Sequence, residues 1–285
     1  MSSLGAIAGQ VSLASAIHHW GWRPTLHGLA WMGTLLGLLM WLIVRNSPTT
    51  ISPNLNTPPA SNLNELQRLK KVCKNKQTWL IALYSFTVWG PITAFAALWG
   101  IPFLMVKYGI TLESASKASA MIWLGIGLGS PFLGWLSDKV RARNLPLSSS
   151  AFLGIVSLLL VIYAPHLSLV SLYILLFLFG LSASGQALSF GVVKDHNSTT
   201  TVGTAIGFNN MAVVAGGALF QPLIGILLYY YWNGALQAGK PFYSALDYQK
   251  SFILLPICFI LAFIVSQFLL QETHCQPISA EDRPS

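Results

Sequence analysis

Apolar runs of about 20 residues recur along this chain, and that repetition decides what it can fold into. A helix of that length rises about 30 Å, the thickness of a bilayer's hydrocarbon core. Eight runs can be read: 4–17, which is short, then 26–44, 79–104, 118–136, 149–163, 169–193, 203–230 and 252–270. The expected fold class is therefore an all-α, polytopic membrane protein. Of the 285 residues, 54% are apolar and only 8% charged, against about a quarter charged in soluble domains. Mean hydropathy is +0.60. These values exclude a water-soluble domain, and the many long runs exclude a single-anchor enzyme and a β-barrel.

The net charge of +8 does not point to nucleic acid, because the cations sit in short loops between apolar runs, where they set orientation. With both termini inside, Arg45, Arg68, Lys70, Lys71, Lys74, Lys76, Lys139, Arg141, Arg143, Lys194 and Arg283 are cytoplasmic; Arg23, Lys107, Lys117, Lys240 and Lys250 are outside. Eleven against five obeys the positive-inside rule and leads to a multi-pass protein of the cell's inner (plasma) membrane. Ser2, Ser3 and Gly5 enter the first run without a basic n-region or cleavage site, so that helix is expected to stay in the mature chain. Cys73, Cys258 and Cys275 are too sparse for a disulfide framework and lack metal-ligand spacing. No metal and no cofactor are expected.

Between the second and third runs, residues 46–77 form a Ser/Thr/Pro/Asn-rich linker up to about residue 61, then a short helix. Leu63, Leu66, Leu69 and Val72 recur every third residue among Lys70, Lys71, Lys74 and Lys76. That pattern suits an amphipathic basic helix on an anionic leaflet or a plain solvated linker helix. The fourth run ends Gly134-Trp135-Leu136-Ser137-Asp138-Lys139-Val140-Arg141-Ala142-Arg143-Asn144. A carboxylate among cations at a helix end can act as a latch whose strength differs between two conformations.

This segment resembles the Gly-x-Leu-Ala-Asp-Arg-x-Gly-Arg-Lys signature of the major facilitator superfamily, in the copy between its eighth and ninth helices. Gly134, Leu136 and Asp138 match, Lys139 keeps the charge and Arg143 the trailing basic position, while Arg141 stands where the family usually has glycine and Ala142 where it has arginine. Gly21-Trp22-Arg23-Pro24 is similar to the family's turn between helices five and six. The resemblance implies a chain truncated at its N-terminus. Residues 1–45 then hold the last two helices of the N-terminal half, 46–77 the central cytoplasmic loop, 78–272 a complete C-terminal six-helix half and 273–285 a cytoplasmic tail. It also assigns Gly134, Leu136, Asp138, Lys139 and Arg143 to a gating motif.

Polar residues inside spans are costly in hydrocarbon and mark bundle interiors or water-filled paths. In the seventh run Gly203, Gly207, Asn210, Gly217, Gln221 and Gly225 lie within about 40° of one line at 100° per residue, while Asn209 is rotated off it. Glycines there suit close helix contact; Asn210 and Gln221 suit either a solute or a neighbouring helix. The sixth run has a small stripe of Gly180, Ser184, Ala187 and Gly191 opposite a polar one of Ser182, Gln186 and Ser189. In the third, Tyr84, Thr87 and Pro91 lie along one line and Trp89 and Thr93 on another, and a kink or break is expected at Pro91. Candidate substrate contacts are Tyr84, Trp89, Gln186, Asn210 and Gln221. His18 and His19 read as interfacial anchors beside Trp20, and Asn197-Ser198-Thr199 matches a glycosylation acceptor on the side expected to be cytoplasmic. Lys194-Asp195-His196 reads as a turn with no neighbouring nucleophile. No catalytic constellation is present, so no enzyme is expected.

The resemblance implies a secondary active or facilitative transporter that moves a small polar solute by alternating access. The run Gly203-Thr-Ala-Ile-Gly-Phe-Asn-Asn-Met211 is similar to bacterial permeases distantly related to the lysosomal dipeptide transporter branch, so a peptide or amino acid is the expected substrate, with an organic anion or a sugar behind it. Proton coupling stays open, although no mid-span carboxylate supplies it. The alternative is a truncated, non-transporting membrane remnant or interaction protein. The partners expected are a small-molecule substrate and the lipid bilayer.

Overall fold

A computed structural model describes residues 5, 16–17, 19–44, 63–237 and 239–277. Most of the run 4–17, His18, the linker 46–61 and the last eight residues lie outside the described residues. The chain divides into two compact units, Met1–Asn62 and Leu63–Ser285.

In the first unit, helix α1 (Trp22–Ile43) is apolar and long enough to cross a membrane. Gly21 precedes it at φ +80°, a left-handed value that glycine adopts freely. Pro24 falls in the first turn, where its missing N–H leaves no bond unmade. Thr25 Oγ1 donates to the Gly21 carbonyl at 2.7 Å.

The second unit opens with α2 (Glu65–Lys74), then six spans built from α3 (Lys76–Ala94), a π-helical turn Phe95–Trp99, α4 (Gly100–Tyr108), α5 (Leu112–Val140), α6 (Asn144–Tyr163), α7 (Leu169–Ser182), α8 (Ser184–Asp195), α9 (Val202–Tyr231), α10 (Ala245–Phe252), α11 (Leu254–Ile264) and a second π-turn, Val265–Leu269. A two-residue hairpin, β1 (Leu236–Gln237) with β2 (Lys240–Pro241), caps the connection after α9. Seven of the eight expected spans are thus described as helices of membrane-crossing length and apolarity, and the protein is all-α and polytopic.

Hydrocarbon offers no hydrophobic drive between helices, so close packing at small residues holds them. At the α5–α7 crossing a Cβ on Gly125 would overlap the Phe177 carbonyl, and one on Gly180 would overlap that of Ile122. An aromatic cluster fills the centre, with Phe95 5.8 Å from Phe179 and 5.6 Å from Phe252 between ring centroids.

The break expected at Pro91 lies one turn later. α3 runs through Pro91 to Ala94, and the wide turn closes where the Gly100 N–H reaches the Phe95 carbonyl five residues back. A Cβ on Gly100 would sit 2.5 Å from that oxygen, so the turn forms where glycine permits it. The sixth run is likewise divided, into α7 and α8, at Ala183.

Six spans return the chain to the end where it entered. That end carries Lys139, Arg141, Arg143 and Lys194 and is called here the basic end. At the opposite end, Lys107 Nζ donates to the Val161 and Ile162 carbonyls, Tyr108 Oη to Val161 and Gln249 Nε2 to Ile162, satisfying the last turn of α6.

Candidate functional site: an ion clasp at the basic end and an amide face on α9

The loop between α5 and α6 is organised by Arg141 at φ +52°. Its left-handed backbone lets α5 finish with N–H bonds from Arg141 and Ala142 to the Ser137 carbonyl, at a steric cost of about 1 kcal/mol or more for a non-glycine residue. This is the position at which the resembling signature carries glycine, and the tight turn survives without it.

The turn aims Arg143 at two carboxylates. Its Nη1 lies 3.0 Å from Asp138 Oδ1 and its Nε 2.9 Å from Asp195 Oδ2, the last residue of α8. The two arms differ in burial: the Asp138 side chain is 68% exposed, that of Asp195 only 6%. Burial opposes the Arg143 charge, but hydrogen bonding and attraction from Asp195, helped by Cys275 and Asp138, hold its pKa above the ordinary value. Lys139 stacks over Trp135 at 4.7 Å and is not part of the clasp.

The segment after the last span closes the cluster. Glu272 accepts the backbone N–H groups of Arg143 and Asn144 at 2.8 Å each, placing a carboxylate on the positive end of α6. Thr273 Oγ1 donates to Asp195 at 3.3 Å, and Asn144 Nδ2 to the Leu270 carbonyl at 2.7 Å. Buried His196 and Asn197 extend the cluster to the joint between α2 and α3: Asn75 Nδ2 donates to the His196 carbonyl, and Asn197 Nδ2 to Thr78 Oγ1. Asp195, His196, Glu272 and Thr273 were not among the expected site residues. The one sequence signal for Asp195 was its place in the last turn of a helix, where the dipole repels a carboxylate and a cation must compensate.

The candidate substrate contacts do not form one cluster. Gln221 sits beside the break in the α3–α4 span: its carbonyl accepts Trp99 Nε1 at 2.9 Å, and its Nε2 is 3.5 Å from the Thr93 carbonyl. Trp89 is half-buried in the adjoining turn, its carbonyl bonded to Thr93 Oγ1 at 3.1 Å. Tyr84 is fully buried, and its hydroxyl meets the Leu147 carbonyl and Ser150 Oγ, each at 3.0 Å, tying α3 to α6. Gln186 is half-buried on α8, one turn before Ser189. Asn210 is exposed, as are Gly203 and Gly207 on the same line.

Asn209, one residue away, is buried in a closed triad: Ser85 Oγ donates to its Oδ1 at 2.9 Å, and its Nδ2 donates to Ser189 Oγ at 3.0 Å. That triad joins α3, α8 and α9 and fixes the rotation of α9 that exposes Asn210. Among the described residues no cluster of His, Cys, Asp and Glu is suited to a metal, and charged side chains of the second unit's spans lie within the first or last two turns.

Comparison with known proteins adds the ancestry. The Major Facilitator Superfamily model matches residues 1–222 and 92–283. The "Membrane sensor protein UhpC" of Escherichia coli (strain K12) is 23% identical over 81% of this chain and 56% of its own length; its Salmonella typhimurium counterpart is 25% identical over 81% and 55%. A "Putative glycerol-3-phosphate transporter 2" of Arabidopsis thaliana is 23% identical over 65% of the chain and 41% of its own length. The chain thus spans about half the length of these curated relatives. In fold it is similar to a crystal structure of a bacterial homolog of the human lysosomal transporter Spinster, described as inward-facing and unoccupied, with a TM-score of 0.62 and 16% identity over 93% of this chain and 64% of that one.

Proposed function

The chain belongs to the Major Facilitator Superfamily, and we propose that it serves as a transporter of a small polar solute by alternating access, facilitative or gradient-driven, in the inner (plasma) membrane with the basic end in the cytoplasm. The observation that carries this reading is the two-armed Arg143. Its arm to exposed Asp138 is worth about 1 kcal/mol or less and opens easily. Its arm to buried Asp195 holds α6 and α8 together, and breaking it by removing one partner costs about 3–5 kcal/mol. A clasp with one firm and one releasable arm suits a loop that must let go in one conformation.

Amides and an indole at Gln221, Asn210, Gln186 and Trp89 suit an uncharged or zwitterionic solute such as an amino acid or small peptide, because they bond polar groups without the desolvation cost of an ion. An organic anion, suggested by the likeness to a putative glycerol-3-phosphate transporter, needs a cation that the mid-span positions of the second unit do not supply. Proton coupling needs a mid-span titratable group as well.

The test is uptake of labelled alanine, dialanine and glycerol 3-phosphate by membrane vesicles from cells making the chain. The expected outcome is uptake of alanine or dialanine, slowed several-fold by Asp138→Asn at unchanged protein level, whereas Asp195→Asn lowers the amount of folded protein. Wild-type uptake in Asp138→Asn contradicts the gating role.

A second reading is favoured by the relatives named as membrane sensors: the chain binds its solute and signals without moving it. Saturable binding of one of the three solutes with no uptake of any supports that reading and overturns transport.

A further inference from the structure

Helix α2 turns only part of its surface to the bundle. Val72 is fully buried, and Arg68 is half-buried and paired with Glu65 at 3.3 Å. The remaining cations, Lys70, Lys71, Lys74 and then Lys76 at the start of α3, are exposed. At 100° per residue Leu69, Cys73 and Leu66 fall within about 60° of one another, and Lys70 and Lys74 follow within the next 80° or so. That apolar shoulder is uncovered too, with Leu66 76% exposed and Leu69 and Cys73 exposed beside it.

The position of α2 is as informative as its composition. Asn75 alone separates it from α3, a membrane-crossing helix. Trp79, in the first turn of α3, is exposed and donates its indole N–H to the Cys73 carbonyl at 2.9 Å, fixing the end of α2 beside an aromatic ring at the level where such rings meet headgroups. The lysines therefore lie within about one screening length, some 10 Å at 0.1 M salt, of the bilayer surface.

We propose that α2 lies on the membrane that the chain spans and binds its anionic lipid headgroups, with Leu66, Leu69 and Cys73 dipping into the interface and Lys70, Lys71, Lys74 and Lys76 pairing with lipid phosphates. Charge complementarity at a fixed place selects this occupant. Five cations against one carboxylate cross the stretch from Glu65 to Lys76, that one carboxylate is already paired, and a negative surface is the partner in reach. An apolar shoulder flanked by lysines is also the pattern by which interfacial helices enter a leaflet. Because Asn75 bonds the His196 carbonyl, the lipid-bound helix is connected to the clasp.

The experiment attaches an environment-sensitive fluorophore to Cys73 in a Cys258→Ala, Cys275→Ser chain, reconstituted in vesicles of phosphatidylcholine alone or mixed with phosphatidylglycerol. The emission is expected to shift to the blue only with phosphatidylglycerol, to lose the shift near 1 M salt, where screening shortens to about 3 Å, and to lose it when all four lysines are changed to glutamine. Changing the four to arginine preserves it. An independent readout needs no substitution: trypsin cleavage at Lys70, Lys71 and Lys74 of the unaltered chain is expected to fall in the anionic vesicles. Equal emission and equal cleavage in both vesicle types, or a lipid response that survives the four glutamines, overturns the proposal.

Discussion

At the scale of single residues, the basic-end cluster is built to weaken in acid. Burial is the main influence on His196 and disfavours its imidazolium, outweighing the Val192 carbonyl, Asp195, the Gln271 backbone and Glu272, so its pKa lies below the ordinary value of 6.5. The ring Nδ1 lies 2.9 Å from the Val192 carbonyl. Burial also disfavours the Glu272 carboxylate, but four backbone N–H groups, from Asn144, Arg143, His274 and Thr273, overcome it and hold the pKa below 4.5. The signs agree. As pH falls below about 6.5 the unfolded chain takes a proton at position 196 that the folded chain resists, so stability declines; the contribution of Glu272, full above about pH 4.5, is lost as pH falls through its lowered value. Thermal unfolding in detergent is expected to show a midpoint that drops between about pH 7 and 5, with a flatter slope in His196→Gln. The same slope in wild type and variant contradicts this assignment. Most of the cluster was not readable from spacing, because Arg143, Asp195 and Glu272 are brought together only by the folded bundle. Only Asp138 and Arg143, five residues apart on one short loop, left a local pattern.

At the scale of elements, glycines of one residue type have opposite meanings. Gly125 and Gly180 sit where a Cβ meets backbone, whereas nothing lies within 4 Å of one on Gly203 or Gly207. Gly125→Ala and Gly180→Ala are expected to cost about 1–3 kcal/mol or more through forced separation of α5 and α7; Gly203→Ala and Gly207→Ala are expected to stay within about 0.5 kcal/mol. Unfolding midpoints of the four purified variants check this, and equal shifts contradict the crossing. Spans were legible in the sequence because length and apolarity are local properties. Their interruptions were not: Pro91 advertises a break, yet the wide turn needs Gly100, whose N–H donates to the Phe95 carbonyl and whose missing Cβ leaves that oxygen room, and so forms at Phe95–Trp99. The straight line drawn down α9 likewise misses its winding. Among the buried positions 205, 208, 209, 213, 216, 220, 224 and 228 most steps are of four residues, and each step of four turns the buried stripe about 40°. Asn210 is therefore open while Gln221, on the same line, lies against α3.

For the whole molecule, the account rests on α9 presenting Asn210 to water while Asn209 is locked among Ser85 and Ser189. An exposed amide in a membrane bundle faces either lipid or an aqueous path, and a solute-moving protein requires the second. The direct measurement is the rate at which a small, membrane-impermeant maleimide labels a cysteine at position 210 or 209, each introduced into a chain with Cys73→Ser, Cys258→Ala and Cys275→Ser, in native membrane vesicles opened to the reagent from both sides. Asn210→Cys is expected to label rapidly and to be slowed by the transported solute, and Asn209→Cys to label little or not at all. An Asn210→Cys protein that is folded and stays unlabelled from both sides puts that face in lipid and contradicts a solute path along α9.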